Sequence, residues 1–231
     1  MKRPGEVVYL VDDDVSVREA ITGLLESVQI EVLNFESAES FLRHERSDTA
    51  GCLVLDLQLP EMSGLELQER LRHSSNPPII FITGRGDIPS SVRAMKAGAV
   101  EFLTKPIDSE TLIAAIRNAL SRDRGDRMRQ AELAELGRRY SRLTPREREV
   151  LPLVAAGFMN KQSAAMLGIT DITLQNHRGQ VMRKMEATSL ADLVRMCGAL
   201  GIPNTIRKPA KHGTGARGTK ESSGDRGNGE E

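Results

Sequence analysis

The chain contains no tryptophan, five phenylalanines and two tyrosines, so aliphatic side chains must build any core. Its two cysteines, Cys52 and Cys197, are too few for a disulfide framework or a cysteine zinc site. Both are expected as small buried apolar residues. No run of 18 apolar residues occurs, which excludes a membrane-spanning helix. The opening MKRPGEVVYLVDDD is basic, but its apolar run lasts five residues and ends in acid, unlike a signal peptide. A cytoplasmic protein without a membrane partner is expected.

Net charge is also missing, yet the zero hides an asymmetry. Residues 1–122 carry 13 basic and 19 acidic side chains, a net of −6. Residues 141–220 carry 13 basic and 5 acidic ones, a net of +8. An acidic half joined to a basic half implies two tasks, with a polyanion as partner of the second.

What is present has a clear order. Five short apolar runs, Val7–Val11, Glu31–Phe35, Cys52–Leu55, Ile79–Thr83 and Val100–Leu103, alternate with helix-like segments. Several are nearly continuous in Val, Ile and Leu, as in strands buried on both faces. Asp14 and Ser37 precede the first two helices, and Ser63 with Glu66 forms a possible capping box for the third. The fourth helix is expected from about Ser90 to Ala97 and the fifth from Asp108–Ser109. The alternation predicts an α/β fold, a five-stranded parallel sheet with helices on both faces. Such sheets bind ligands at the carboxyl ends of their strands.

The stretch 123–139 is expected as a linker, helical in part. Leu133, Leu136, Tyr140 and Leu143 follow 3-4-3 spacing, too short a pattern for a coiled coil. They could dock on their own domain or form a dimer contact. Residues 140–202 read as a small all-α domain. Thr144, Pro145 and Glu147 start its first helix, and Gly157 ends it. Pro152 inside that helix should bend it. Further helices are expected over Asn160–Leu167, Thr170 to about Glu186, and Ser189 to about Gly198. The 203–231 tail is disordered by composition.

Asp12, Asp13 and Asp14 follow the first strand, and Asp56 ends the third. Carboxylates that converge repel one another unless a cation joins them, and hard oxygen donors favour Mg²⁺. Thr83 adds a hydroxyl after the fourth strand and Lys105 an ammonium after the fifth. A nucleophilic carboxylate, a cation, a hydroxyl and an ammonium suit phosphoryl transfer to a carboxylate. A haloacid-dehalogenase-like phosphatase would want a second Asp two residues after the nucleophile. That position is Gln58.

The series VDDD, LVLDLQLPEMSG, FITGRGD and FLTKP resembles the receiver domain of two-component response regulators, over about residues 5–122. The resemblance implies that a sensor histidine kinase phosphorylates Asp56. Asp12, Asp13, Asp56 and the carbonyl of Gln58 would hold Mg²⁺. Thr83 and Lys105 would bind phosphoryl oxygens. Phe102 would be an aromatic switch that turns inward as Thr83 moves. Asp14 would cap a helix instead, and Gly84 would leave room for the phosphoryl group. Gln58 and Arg85 would flank the site.

Gly168-Ile169 makes a tight turn between helices, as in a helix-turn-helix. The next helix turns Leu174, Val181 and Met185 inward and presents amides and basic groups elsewhere. Such side chains pair with base edges and phosphates. LTPREREVLPLVAAGFMNKQSAAMLGITDITLQNHRGQVMRKM resembles the LuxR-type domain, and with the receiver it makes a NarL/FixJ-type regulator. The resemblance places Gln175, Asn176 and Gly179 at base edges. It places Asn160, Lys161, Thr173, His177, Arg178 and Arg183 near phosphates. The expected protein is a phosphorylation-activated transcription regulator, an activator by resemblance and not an enzyme. Its expected partners are double-stranded DNA at an inverted repeat, a kinase, RNA polymerase and a second copy of itself. A phosphate sink and a phosphate-independent DNA binder with a structural receiver are the alternatives.

Overall fold

The computed structural model describes residues 5–71, 76–84 and 88–203. The five strands are β1 (Glu6–Val11), β2 (Glu31–Phe35), β3 (Ala50–Asp56), β4 (Ile79–Thr83) and β5 (Glu101–Thr104). They form one parallel sheet in the order β2-β1-β3-β4-β5. Between them lie α1 (Val15–Ser27), α2 (Ala38–Arg43), α3 (Gly64–Leu71) and α4 (Ile88–Lys96), followed by α5 (Ser109–Ser141). The helical remainder is α6 (Pro145–Ala155), α7 (Asn160–Leu167), α8 (Asp171–Met185) and α9 (Leu190–Ala199). The chain divides into two compact units, Met1–Glu135 and Leu136–Glu231.

Side chains on a strand alternate between faces, so the sheet of the first unit has two apolar layers. Val7, Tyr9, Val11, Leu53, Leu55, Ile79 and Phe81 pack with Phe41 of α2, Leu67 and Leu71 of α3 and Ala94 of α4. Val8, Leu10, Cys52, Val54, Ile80 and Ile82 pack with Ile21 and Leu25 of α1 and with Leu112, Ile116, Ala119 and Leu120 of α5. All seven residues of β3 are buried, because this strand is central and covered on both sides. The scarce aromatic rings gather in the first layer. Phe41 meets Tyr9 and Phe35 edge-on, with ring centroids 5.6 and 5.5 Å apart.

The expected caps are formed. Asp14 accepts from the Ser16 amide at 2.8 Å. Ser37 accepts from the Ser40 amide, and Ser63 exchanges bonds with Glu66. Gly98 and Gly157 follow α4 and α6 at φ 95° and 77°, a left-handed backbone that glycine adopts without strain. α6 runs through Pro152 without interruption, so the proline does not end the helix.

The stretch expected as a linker differs from a partly helical connection. It lies inside α5, one helix from Ser109 to Ser141. Its middle turns are fixed to the amino edge of the sheet. The buried Asp123 accepts from the Gly51 amide at 2.9 Å and from Arg127 Nε at 2.7 Å. Arg127 also reaches Asp48 at 3.1 Å, and Arg124 pairs with Glu6 at 2.5 Å. Further along, Leu136, Tyr140 and Leu143 pack into the core of the second unit, while Leu133 is exposed. Three of the four spaced residues therefore dock on their own domain. Residues 204–231 of the tail expected to be disordered lie outside the described residues.

Asp123→Ala should cost about 1–3 kcal/mol, because the buried Gly51 N–H loses its acceptor. Urea unfolding would measure this, and hydrogen exchange at Gly51 and across the 121–131 stretch should quicken. Asp123→Asn, which keeps an acceptor, should lose less.

Candidate phosphoacceptor site and DNA interface

The strand order brings four sequence-distant motifs to one edge. β1 and β3 are neighbours, with Val11 opposite Leu55, so Asp12 and Asp56 leave the sheet side by side. β4 lies next to β3 and β5 next to β4, which adds Thr83 and Lys105. Asp12 is fully buried, Asp56 nearly so, and Asp13 is exposed. One carboxylate oxygen from each of these three lies within 4.8 Å of the others. The Lys105 ammonium donates to Asp12 Oδ2 at 2.7 Å and to Asp56 Oδ2 at 2.6 Å.

The backbone orients the remaining carboxylate oxygens. The Asp14 amide donates to Asp12 Oδ1 at 2.9 Å, and the Gln58 amide donates to Asp56 Oδ1 at 2.9 Å. Burial pushes the Asp12 carboxyl above its ordinary range, opposed by the bond from Lys105. Burial also works against the Lys105 charge, but the bonds from Asp12 and Asp56 outweigh it and hold the amine charged. The site is thus two buried acids, one exposed acid and one cation, poor in positive charge. That composition fits a divalent cation among the acids.

Thr83 is buried, and its carbonyl accepts from the Lys105 amide at 2.7 Å. An added Cβ at Gly84 would meet nothing within 4 Å, so space is open there. Phe102 is half-buried, its ring centroid 6.2 Å from that of Phe81. Gln58 is exposed beside Asp56. Arg85 lies outside the described residues.

Two contributors were not foreseen. Arg18 of α1 donates to the Asp12 carbonyl at 2.6 Å and holds the acidic turn against the helix. A Cβ at Gly64 would stand 2.4 Å from the Asp56 carbonyl oxygen. Glycine is therefore required where α3 starts, or the loop carrying Asp56 would be displaced. The clue was a glycine in the first turn of a capped helix, where no turn geometry calls for it.

In the second unit, α7 ends at Gly168, which takes φ 65° and opens the turn into α8. Thr170 caps α8 by accepting from the Thr173 amide at 3.2 Å. Leu174, Val181 and Met185 are fully buried and fix which face of α8 points outward. Gln175, Asn176, Gly179 and Arg183 are exposed on α8, as is Lys161 on α7. His177 is half-buried. Arg178 donates to Asn160 Oδ1 at 3.2 Å, so two residues expected near phosphates bond to each other. Arg183 is bonded to Gln180.

α8 is held by a buried ion pair that sequence reasoning missed. Glu147, expected only as a cap residue, takes the Thr144 amide at 2.8 Å and Lys184 Nζ at 2.7 and 2.9 Å. Burial opposes its ionisation, but the bonds from Lys184 and Thr144 outweigh it and hold the carboxyl below its ordinary range. Arg139 ties the end of α8 from the other side, 3.0 Å from Glu186.

Both units have counterparts in known proteins. Residues 8–117 match the family of response regulator receiver domains, and 141–197 match the luxR family of bacterial regulatory proteins. The chain belongs to the response regulators of the NarL/FixJ type, transcription regulators that join a receiver to a LuxR-type DNA-binding domain. Nodulation protein W of Bradyrhizobium diazoefficiens is 50% identical over 197 residues, 85% of this chain and 87% of that protein. The response regulator StyR superposes with a TM-score of 0.77 at 47% identity, covering 84% of this chain and 98% of that one. Full-length FixJ from B. japonicum gives a TM-score of 0.52 at 37% identity, over 87% and 99% of the two chains.

The Glu147–Lys184 pair has a pH signature. A carboxyl held low contributes stability that is complete above its ordinary pKa of 4.5 and is lost as pH falls below that value. Denaturant midpoints taken between about pH 6 and pH 3 should fall less steeply for Glu147→Gln than for wild type. At neutral pH Glu147→Ala should cost about 2–4 kcal/mol, because Lys184 is left without its partner.

Proposed function

We propose that this chain is a phosphorylation-activated transcriptional regulator whose phosphoacceptor is Asp56. The observation that supports this most directly is the Lys105 bridge between Asp12 and Asp56, 2.7 and 2.6 Å long, at the carboxyl edge of the sheet. One ammonium bridges two buried carboxylates there, which leaves one negative charge unmatched. A phosphoryl group on Asp56 would offer Lys105 new oxygens in place of the carboxylate it holds now.

The donor is a phosphohistidine on a sensor kinase. An Asp56 carboxylate oxygen attacks phosphorus, the P–N bond breaks, and the histidine nitrogen leaves with the electron pair. Asp12, Asp13, Asp56 and the Gln58 carbonyl would hold Mg²⁺, which would neutralise charge on the transferring oxygens. Lys105 follows the phosphoryl group as a point charge, and Thr83 supplies a hydroxyl donor. Phe102, packed on Phe81, turns inward as Thr83 moves. The receiver is assigned to 5–122 and the DNA-binding domain to 140–202, joined through 123–139.

On the DNA side, α8 enters the major groove. Gln175, Asn176 and Gly179 face base edges. Asn160, Lys161, Thr173, His177, Arg178 and Arg183 line the phosphates. The net charge of +8 over residues 141–220 supports a polyanion as partner. A dimer of the phosphorylated form would place two copies of α8 on an inverted repeat, about one helical turn apart. It would act in the cytoplasm, with RNA polymerase, as an activator. Phosphate favours this form only to the extent that its contacts differ between the two states.

Intact-mass analysis after incubation with acetyl phosphate and Mg²⁺ tests the chemistry. Wild type should gain one phosphoryl mass and Asp56→Asn none. Lys105→Met should slow the gain by about tenfold or more, the loss of one charge contact. Transcription output that is unchanged by Asp56→Asn would instead favour a structural receiver.

A further inference from the structure

We propose that Ile172 reads a thymine methyl group, next to a base pair read by Asn176. The inference rests on α8 being the DNA-reading helix and adds a specificity residue to it.

Ile172, Asn176, Gly179 and Arg183 follow 4-3-4 spacing, so they lie along one line of α8. That line is opposite the fully buried Leu174, Val181 and Met185, which makes it the outer crest of the helix. The crest carries, in order, an aliphatic side chain, an amide, bare backbone and a cation. Ile172 is 75% exposed.

A single exposed isoleucine is ordinary on a protein surface. Its position gives this one a meaning. It occupies the first turn of the helix, the part that meets base edges in helix-turn-helix proteins. Gly179 lies on the same crest, seven residues further along. A Cβ there would touch nothing within 4 Å, so the protein's own packing does not require glycine. Glycine weakens a helix interior but lets the backbone approach a partner closely.

The major groove offers one apolar feature, the thymine C5 methyl. Asparagine pairs with adenine through two hydrogen bonds. Ile172 and Asn176 are about 6 Å apart along the axis of α8, a span of one or two base-pair steps. An aliphatic group followed by an amide therefore matches an A·T-rich stretch of a half-site.

The test uses the full chain, with and without acetyl phosphate and Mg²⁺, to select duplexes from a random-sequence library. Thymines of the selected duplex are then replaced one at a time by deoxyuridine, which removes only the methyl group. Wild type should lose about three- to fivefold in affinity at one position of each half-site, the value of one buried methyl. Ile172→Ala should bind the unmodified duplex more weakly by a similar factor and be indifferent to that replacement. Its salt dependence should be unchanged, since no phosphate contact is removed. Ile172→Val should keep part of the methyl sensitivity. The proposal is overturned if no replacement gives a loss that depends on residue 172. It is overturned too if Ile172→Ala weakens random-sequence DNA equally. If wild type selects no duplex under either condition, the DNA-reading role of α8 falls, and this inference with it.

Discussion

Two buried carboxylates at neighbouring strand ends are an electrostatic burden that a fold accepts only with compensation. Asp12 and Asp56 are both nearly inaccessible, and like charges so placed destabilise the ionised forms. Lys105 offsets part of that cost by donating to both, and the Asp14 and Gln58 amides satisfy the other oxygens. Everything at this edge follows from that balance. β1 and β3 must be adjacent to bring the acids together. β5 must lie two strands away so that a side chain as long as lysine can reach back. Gly64 must lack a side chain so that the loop after Asp56 can close over α3.

The second unit solves a related problem with a different result. Glu147 and Lys184 are also withdrawn from water, but each finds a single partner and the helix-capping amide completes the set. A pair with no surplus charge has nothing left to bind. It serves as a fastener that orients α8, whose outward face carries exposed polar groups. The first site has one more acid than its cation can serve, counting Asp13, and so retains the capacity to take a ligand. The difference between a structural ion pair and a chemical one here is the number of acids per cation.

Much of this was legible in the residues. Five short apolar runs marked the strands; those of β1, β3 and β4 are nearly continuous because strands buried on both faces have no polar face, while the edge strands β2 and β5 keep exposed residues. Caps such as Asp14, Ser37 and Thr144 announced helices because their side chains replace missing backbone partners. The gathering of Asp12, Asp13, Asp56, Thr83 and Lys105 was legible because each follows a strand at the same end. What was hidden depends on three-dimensional distance. Asp123 looked like one charge among many in a polar stretch, and nothing local shows that it meets the Gly51 amide, 72 residues away. Lys184 looked like one more basic group on a DNA-facing helix, whereas it is spent on Glu147. The stretch around Gly125 read as a connection because its composition is polar. A helix can be polar on most sides when its ends are fastened elsewhere.

β3 joins these observations. Near its start the Gly51 amide donates to Asp123 of α5, and at its end Asp56 accepts from Lys105. Every residue between is buried, and the strand is paired on both sides. Such a strand is stiff, since moving one residue would break bonds to β1 and β4 together. Under the proposed chemistry a charge added at Asp56 would be answered by the softer groups around it, Lys105, Thr83 and the half-buried Phe102, and not by the strand itself. The amino end of the same strand is tied to Asp123, midway along the long helix. Under the proposed chemistry the sheet is the fixed frame, and the signal is carried by which oxygens Lys105 and Thr83 hold.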